Sequence, residues 1–431
     1  MSKFTVPYGR ENLSFDFPPG VEATLVESRS LPPLQDVNKA VREALYNPVG
    51  SPPLRNLAEP GMRVCIVVTD ITRACPDHVL VPPIIEELIA AGVSDQDITV
   101  MIGIGAHRKS TADEKQQKLG PRVVERVRVV DPSPEVRSTL KNLGQTKGGV
   151  PIYVNREAVS SDLLIATGLV EPHQYAGFSG GRKTVAIGIA GEETIGFTHG
   201  PFFLDHPRTR LGNVEGNLFH EAITEIALKA GLRFILNVVV DDLGRVVALK
   251  AGDPTQAFLS LVEVARELYT VPVHRVFDLA VAGVGFPKDA NLYQASRAAS
   301  YLFFAPRPVI KPGGFFIIPA RCQEGAGQGP GEQRFFRSMR DASTTKDILD
   351  TARHSGIAPG EQRAFIMAKV LEQNQVIIVG SECPDVVRAA KMIPTTTMDE
   401  AIALVQKTLG TNLEALVVPH ALLTLPVLVE D

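Results

Sequence analysis

Three histidines stand in glycine-bounded segments that each follow an apolar, β-rich stretch. They are His107 in the run IGAHR (104–108), His173 in EPH (171–173) and His199 in THG (198–200). Imidazole is the side chain that accepts and returns a proton near neutral pH. Two such bases on opposite faces of a substrate would handle both enantiomers of a chiral alcohol. A third imidazole beside a soft ligand set would suit nickel or copper. The other six histidines, His78, His206, His220, His274, His354 and His420, share no such setting and read as packed or surface residues.

Between two of these histidines lies the densest motif of the chain, GLVEPHQYAGFSGGRKT over 168–184. Gly177, Gly180 and Gly181 ahead of Arg182 and Lys183 suggest backbone amides turned toward an anion. The phosphate-loop pattern GxxxxGK[ST] is not matched, because Arg182 precedes the lysine where that pattern needs glycine; a flexible turn is the alternative. Asp70-Ile-Thr-Arg73 closes the first strong apolar run. Its arginine suits a bidentate grip on a carboxylate, and an Asp–Arg pair that only closes the loop fits equally. A similar loop, GFPKDANLYQASR over 285–297, brings Tyr293, Gln294 and Arg297 behind another apolar run. Gly283 and Gly285 lack the third glycine of a dinucleotide fingerprint.

Strand-like runs alternate with helical patterns, and this order has to position those residues. The strand-like runs are 63–69, 97–102, 127–130, 163–166, 234–240 and 246–248, then 277–283, 315–319 and 376–379. Helical patterns cover 82–91, 111–119 and 255–268. Continuous Val/Ile runs point to strands buried on both faces, hence to largely parallel α/β sheets. The reading is two α/β domains, 1–268 and 276–431, joined by a linker at 269–275, with the ligand in a cleft between them beyond the carboxyl ends of the strands. The chain has 431 residues, 44 Lys and Arg against 48 Asp and Glu, four scattered cysteines and no tryptophan. Near-neutral charge argues against a nucleic-acid binder. The cysteines offer neither a disulfide framework nor a zinc site of their own. No segment reads as a signal peptide or membrane span, so a cytoplasmic protein is expected.

The set DxTR (Asp70, Arg73), GxHR (Gly105, His107, Arg108), EPHxYAGFSGGxK (171–183), THG (198–200) and YQ (Tyr293, Gln294) resembles the nickel-dependent lactate racemase family. The motifs occur in that family's order and span roughly residues 65 to 300. The resemblance implies a nickel-pincer nucleotide, the pyridinium-3-thioamide-5-thiocarboxylic acid mononucleotide carrying Ni. It implies Lys183 as its covalent tether, Gly177, Gly180, Gly181 and Tyr293 around it, and His199 as protein ligand to the metal. His107 and His173 become paired acid/bases in a hydride shuttle through a 2-keto acid. Arg73 holds the substrate carboxylate, with Asp70, Gln294 and Arg297 assisting.

Two departures bear on the substrate. The family's lactate racemases carry lysine where this chain has Arg297, and a tryptophan in the second domain where this chain has the polar stretch GEQR over 360–363. Both point to an acid with a longer, more hydrophilic tail than lactate, such as a hydroxy diacid or sugar acid. The expected enzyme is a 2-hydroxyacid racemase or epimerase, served by the machinery that makes its cofactor. A zinc hydrolase built on the three histidines and a non-catalytic carrier of the nucleotide are the competing readings.

Overall fold

The computed structural model describes residues 3–358 and 360–429. The chain divides into two compact units. One comprises Ser30–Thr198 and Val214–Leu268; the other comprises Met1–Arg29, His199–Asn213 and Tyr269–Asp431.

The first unit is built on a six-stranded sheet in the order 246–252, 232–240, 163–169, 64–69, 98–103, 128–130. All neighbours are parallel except the edge strand Val246–Gly252, which runs antiparallel to Leu232–Val240. Every residue of Val64–Thr69 and of Leu163–Leu169 is buried, which is why these runs show no polar alternation. Helix Asp77–Ala90 covers the sheet with Leu80, Val81, Ile84, Ile85 and Leu88. It starts earlier than its prolines suggest and carries Pro82 and Pro83 inside.

The chain goes from 64–69 outward through 98–103 and 128–130, then returns to add 163–169 on the other side of 64–69. The direction of winding therefore reverses between 64–69 and 163–169, the place where open α/β sheets leave a crevice at the carboxyl ends of their strands. Register aligns those ends, with Thr69 opposite Gly103 and Val67 opposite Ala166.

The second unit has its own six-stranded, all-parallel sheet, in the order 393–395, 375–379, 310–319, 277–282, 413–418, 21–25. Here winding reverses between Phe277–Ala282 and Leu413–Val418, and the loop after 277–282 leads into the short helix Leu292–Ala295. Its core includes Leu279, Val281, Phe315, Ile317, Ile377, Val379 and Val417.

Two α/β units with largely parallel sheets match the apolar runs, but the division of the chain departs from the expected 1–268 and 276–431. Residues 1–29 and 199–213 cluster with the C-terminal residues. Within the expected linker, Thr270–Val273 is a strand paired in parallel with Leu425–Leu428. Val21–Leu25 joins the C-terminal sheet beside Leu413–Val418, a pairing across nearly the whole chain. Among the described residues no helix is long and apolar enough to cross a membrane.

Candidate active site

Three adjacent strands of the first sheet end in the loops that carry the expected chemistry. Asp70 and Arg73 follow 64–69, His107 follows 98–103, and Glu171 and His173 follow 163–169. The first and third of these loops flank the reversal point.

Asp70 is 6% exposed, and both its oxygens are engaged. Its Oδ2 lies 2.7 Å from His107 Nδ1, and its Oδ1 accepts from the Thr72 hydroxyl at 2.7 Å. Burial alone would push this carboxyl up, but the His107 hydrogen bond and charge, the Thr72 hydroxyl and the Arg73 charge outweigh it and bring it down to about 2. An ionised carboxylate only accepts, so in its neutral form His107 carries its proton on Nδ1 and leaves Nε2 bare. The His107 ring is exposed over more than half its surface. Its loop is shaped by Gly105, at φ +57° with its N–H on the Gly188 carbonyl at 2.8 Å. Arg108 then clamps the loop to the next helix through two bonds to Glu114, at 2.8 and 2.6 Å. Glu114 also forms the capping box of helix Ala112–Leu119 with Thr111.

His173 is held in the opposite manner. It is 7% exposed, and its Nδ1 accepts the N–H groups of Tyr175 and Ala176 at 3.3 and 3.2 Å. A nitrogen that accepts carries no proton, so neutral His173 bears its proton on Nε2. The turn that supplies these amides is pinned from helix Leu218–Lys229 and its cap. The Asn217 amide donates to the Tyr175 carbonyl at 2.8 Å, and His220 Nδ1 donates to the Ala176 carbonyl at 3.3 Å. Arg182, 2% exposed, backs His220 at 3.5 Å, donates to Thr224 at 2.8 Å and lies over the Phe258 ring at 3.7 Å. His220 thus has a structural role in the site that its sequence context did not suggest.

Arg73 meets a carboxylate of its own chain, with Nη1 3.1 Å from Glu171 Oε1. Beneath it, Lys118 donates to the Arg73 and Cys75 carbonyls at 2.9 Å each. The Lys118 ammonium is 3.0 Å from Asp77, which also accepts from Thr69 and Thr167 at 2.9 and 2.5 Å. No local motif marks Lys118 or Asp77; only the fold brings them under the loop.

The glycines of 168–184 serve close packing. A Cβ at Gly168 would stand 2.4 Å from the Gly181 nitrogen, and one at Gly180 would stand 2.8 Å from the Phe258 ring. The Gly181 N–H is bonded to Asn237 Oδ1 at 3.1 Å, so this amide faces the protein, not an incoming anion. Gly177, at φ +74°, closes the small hairpin opposite His173. Lys183 is half-buried on helix Gly181–Ala186, which Thr184 ties to the Thr167 carbonyl at 3.0 Å.

His199 is half-buried between helices Glu192–Thr198 and Pro201–Leu204 and belongs to the second unit. In that unit Asn291 caps the helix carrying Tyr293 and Gln294. Arg297 donates to Gln294 Oε1 at 3.1 Å and to the Tyr301 hydroxyl at 2.8 Å. Among the described residues no three His, Cys, Asp or Glu side chains gather closely enough to hold a metal ion.

Comparison with known proteins gives the family of the chain. Residues 8–212 match the family described as the lactate racemase N-terminal domain, and 276–425 match the lactate racemase C-terminal domain. A lactate racemase of Thermoanaerobacterium thermosaccharolyticum is 31% identical over 97% of this chain and 98% of its own length. One from Lactiplantibacillus plantarum is 32% identical over 89% of each chain. The solved structure of the lactate racemase apoprotein from T. thermosaccharolyticum superimposes with a TM-score of 0.88 at 29% identity, covering 99% of this chain and 100% of that one. A Thermotoga maritima protein shares the fold, with a TM-score of 0.69 at 21% identity over 91% of this chain and 98% of its own.

Proposed function

Because the chain belongs to the lactate racemase family, we propose that it is a racemase or epimerase of 2-hydroxy acids using a lysine-tethered nickel-pincer nucleotide. The observation that carries this reading is the pair of histidines on the strand ends to either side of 64–69, fixed in opposite tautomers. His107 offers a bare Nε2, and His173 carries its proton on Nε2.

The residues suit such a group. Lys183 supplies an amine on a helix locked at both Gly181 and Thr184, and His199 supplies one imidazole to a metal whose other donors belong to the nucleotide. When bound, the group would accept the Cα hydride of the substrate and return it to either face; the protein supplies orientation and proton transfer. His107 would take the hydroxyl proton of one stereoisomer at Nε2, with Asp70 stabilising the imidazolium that forms. When the other stereoisomer is made, His173, first protonated from solvent at Nδ1 to the imidazolium, would give its Nε2 proton to the carbonyl oxygen of the 2-keto acid and return to the neutral ring, while His107 releases the proton it took to solvent. Each such transfer is worth about 10²–10⁴ in rate.

Arg73 would anchor the substrate carboxylate. A guanidinium has five N–H groups, and the Glu171 contact engages a single nitrogen, Nη1. Gln294 and Arg297 would assist, and Tyr293 would face the nucleotide. The same reading places the protein in the cytoplasm, with a small 2-hydroxy acid and the cofactor-building machinery as partners. A mere carrier would need Lys183 and His199 but no oriented pair of acid/bases.

The test is a panel of chiral 2-hydroxy acids incubated with nickel-loaded enzyme in deuterated buffer. Inversion with retention of the Cα hydrogen is expected. Solvent deuterium at Cα would overturn hydride transfer, and no inversion of any acid would overturn the racemase reading.

A further inference from the structure

His173 is held by a peptide group that is itself held. The Ala176 N–H donates to His173 Nδ1 at 3.2 Å, and the carbonyl of the same peptide group, that of Tyr175, accepts from Asn217 Nδ2 at 2.8 Å. A trans peptide group is planar, with its C=O and N–H pointing to opposite sides. Whatever fixes the direction of the Tyr175 carbonyl therefore fixes the direction of the Ala176 N–H. Hydrogen bonds at the two ends of one peptide group also polarise one another. The path from the Asn217 amide to the imidazole lies entirely within the first unit.

The side chain at 217 is shaped for this contact. Asn217 is fully buried and caps helix Leu218–Lys229, its Oδ1 accepting the His220 N–H at 3.1 Å. Capping needs only that oxygen, and serine, threonine or aspartate supplies one as well. Asparagine adds a donor on the same planar group. With Oδ1 turned to the His220 N–H, Nδ2 faces the Tyr175 carbonyl; the flipped amide would set donor against donor and acceptor against acceptor. The cap accounts for the oxygen, and the Tyr175 carbonyl accounts for the nitrogen.

The second hold on this turn is of another kind. His220 Nδ1 reaches the Ala176 carbonyl at 3.3 Å, which belongs to the following peptide group and not to the one whose N–H faces His173. It steadies the turn without aiming that N–H. We propose that Asn217 is a positioning residue of the candidate site: through the Tyr175–Ala176 peptide it holds His173 in the tautomer with the proton on Nε2. Its effect on turnover rests on the racemase reading; its effect on the ring does not.

The experiment uses Asn217→Ser, which keeps a capping oxygen but is too short to reach the Tyr175 carbonyl, beside Asn217→Ala, which loses both contacts. Nitrogen-15 NMR of the histidine rings reads the tautomer on the unloaded chain at about pH 8.5, above the ordinary imidazole value. His173→Gln identifies the signal. Wild type is expected to show a bare Nδ1 and a protonated Nε2. Both variants shift His173 toward the opposite tautomer, while the unfolding midpoint falls chiefly in Asn217→Ala, where the cap is lost too. Where the alanine variant does not fold, the serine variant carries the test. In loaded enzyme, Asn217→Ser lowers kcat on an acid that wild type inverts by about 10- to 100-fold, with KM little changed. A wild-type ring signal in Asn217→Ser overturns the proposal even where activity falls, since the loss then comes from elsewhere in the fold. A fall confined to KM overturns it as well. Failure of the racemase reading is separate: loaded wild type then inverts no acid, while the ring signal still shifts in Asn217→Ser.

Discussion

Asp70 and His107 are joined through Oδ2 and Nδ1 at 2.7 Å, so the carboxylate decides which ring nitrogen carries the proton. Asparagine at 70 keeps the shape but can donate to Nδ1, which stabilises the tautomer with its proton on Nε2 and removes the acceptor. Asp70→Asn is expected to lower kcat of the loaded enzyme by about 10²–10⁴ while the substrate KM changes little. A wild-type kcat would dismiss the orienting role.

His220 gives a pH dependence with a defined sign. Burial and the charge of Arg182 push its imidazole down to about 3 from an ordinary value of 6.5, against the opposing hydrogen bond to Ala176. The folded chain refuses a proton that the unfolded chain accepts below about 6.5. Its contribution is therefore complete above that pH and is lost as pH falls from about 6.5 toward 3. His220→Gln keeps a donor and an acceptor without the titration. Its unfolding midpoint should fall less steeply than wild type between pH 7 and pH 4 in parallel melts, and identical slopes would dismiss the role.

Lys183 sits on a helix fixed from both sides, by Gly181 to Asn237 and by Thr184 to Thr167. Lys183→Ala therefore removes the amine with little effect on packing. Intact-mass analysis after expression in a host that makes the nucleotide should show the added mass on wild type and none on Lys183→Ala, with unfolding midpoints nearly equal. Retained mass on the variant would place the tether elsewhere.

The strands flanking the reversal point were legible because both their faces are buried, so Val64–Thr69 and Leu163–Leu169 read as unbroken apolar runs. The loops behind them were legible as motifs, since Asp70, Arg73, His107 and His173 each lie within a few residues of a strand end. Partners that arrive from elsewhere were not. His220, from a helix nearly fifty residues downstream, and Lys118, from the far end of a helix packed on another, carry no local signature. Composition could not tell a backbone that approaches a ligand from one that approaches its own chain: Gly180 stands against Phe258, and the Gly181 N–H is bonded to Asn237. The strand Val21–Leu25 was missed for a related reason: its pairing depends on Leu413–Val418, and three of its five residues face solvent.

The Lys118–Asp77 pair tests how the substrate loop is held. Both side chains are nearly or fully buried, at 4% and 0% exposure, and their charges stand 3.0 Å apart. Removing one partner leaves the other as an uncompensated charge in the interior, at a cost of about 3–5 kcal/mol. Lys118→Met should show that loss in urea unfolding. Combining it with Asp77→Asn should recover part of the stability, because no ion is then stranded and Thr69 and Thr167 can still donate to the amide oxygen. The activity should not recover in step. Lys118 also holds the Arg73 and Cys75 carbonyls, and methionine offers them no donor, so the double variant keeps a raised substrate KM with a folded core. Strict additivity of the two single losses, or a wild-type KM in the double variant, would show that the pair does not hold the loop.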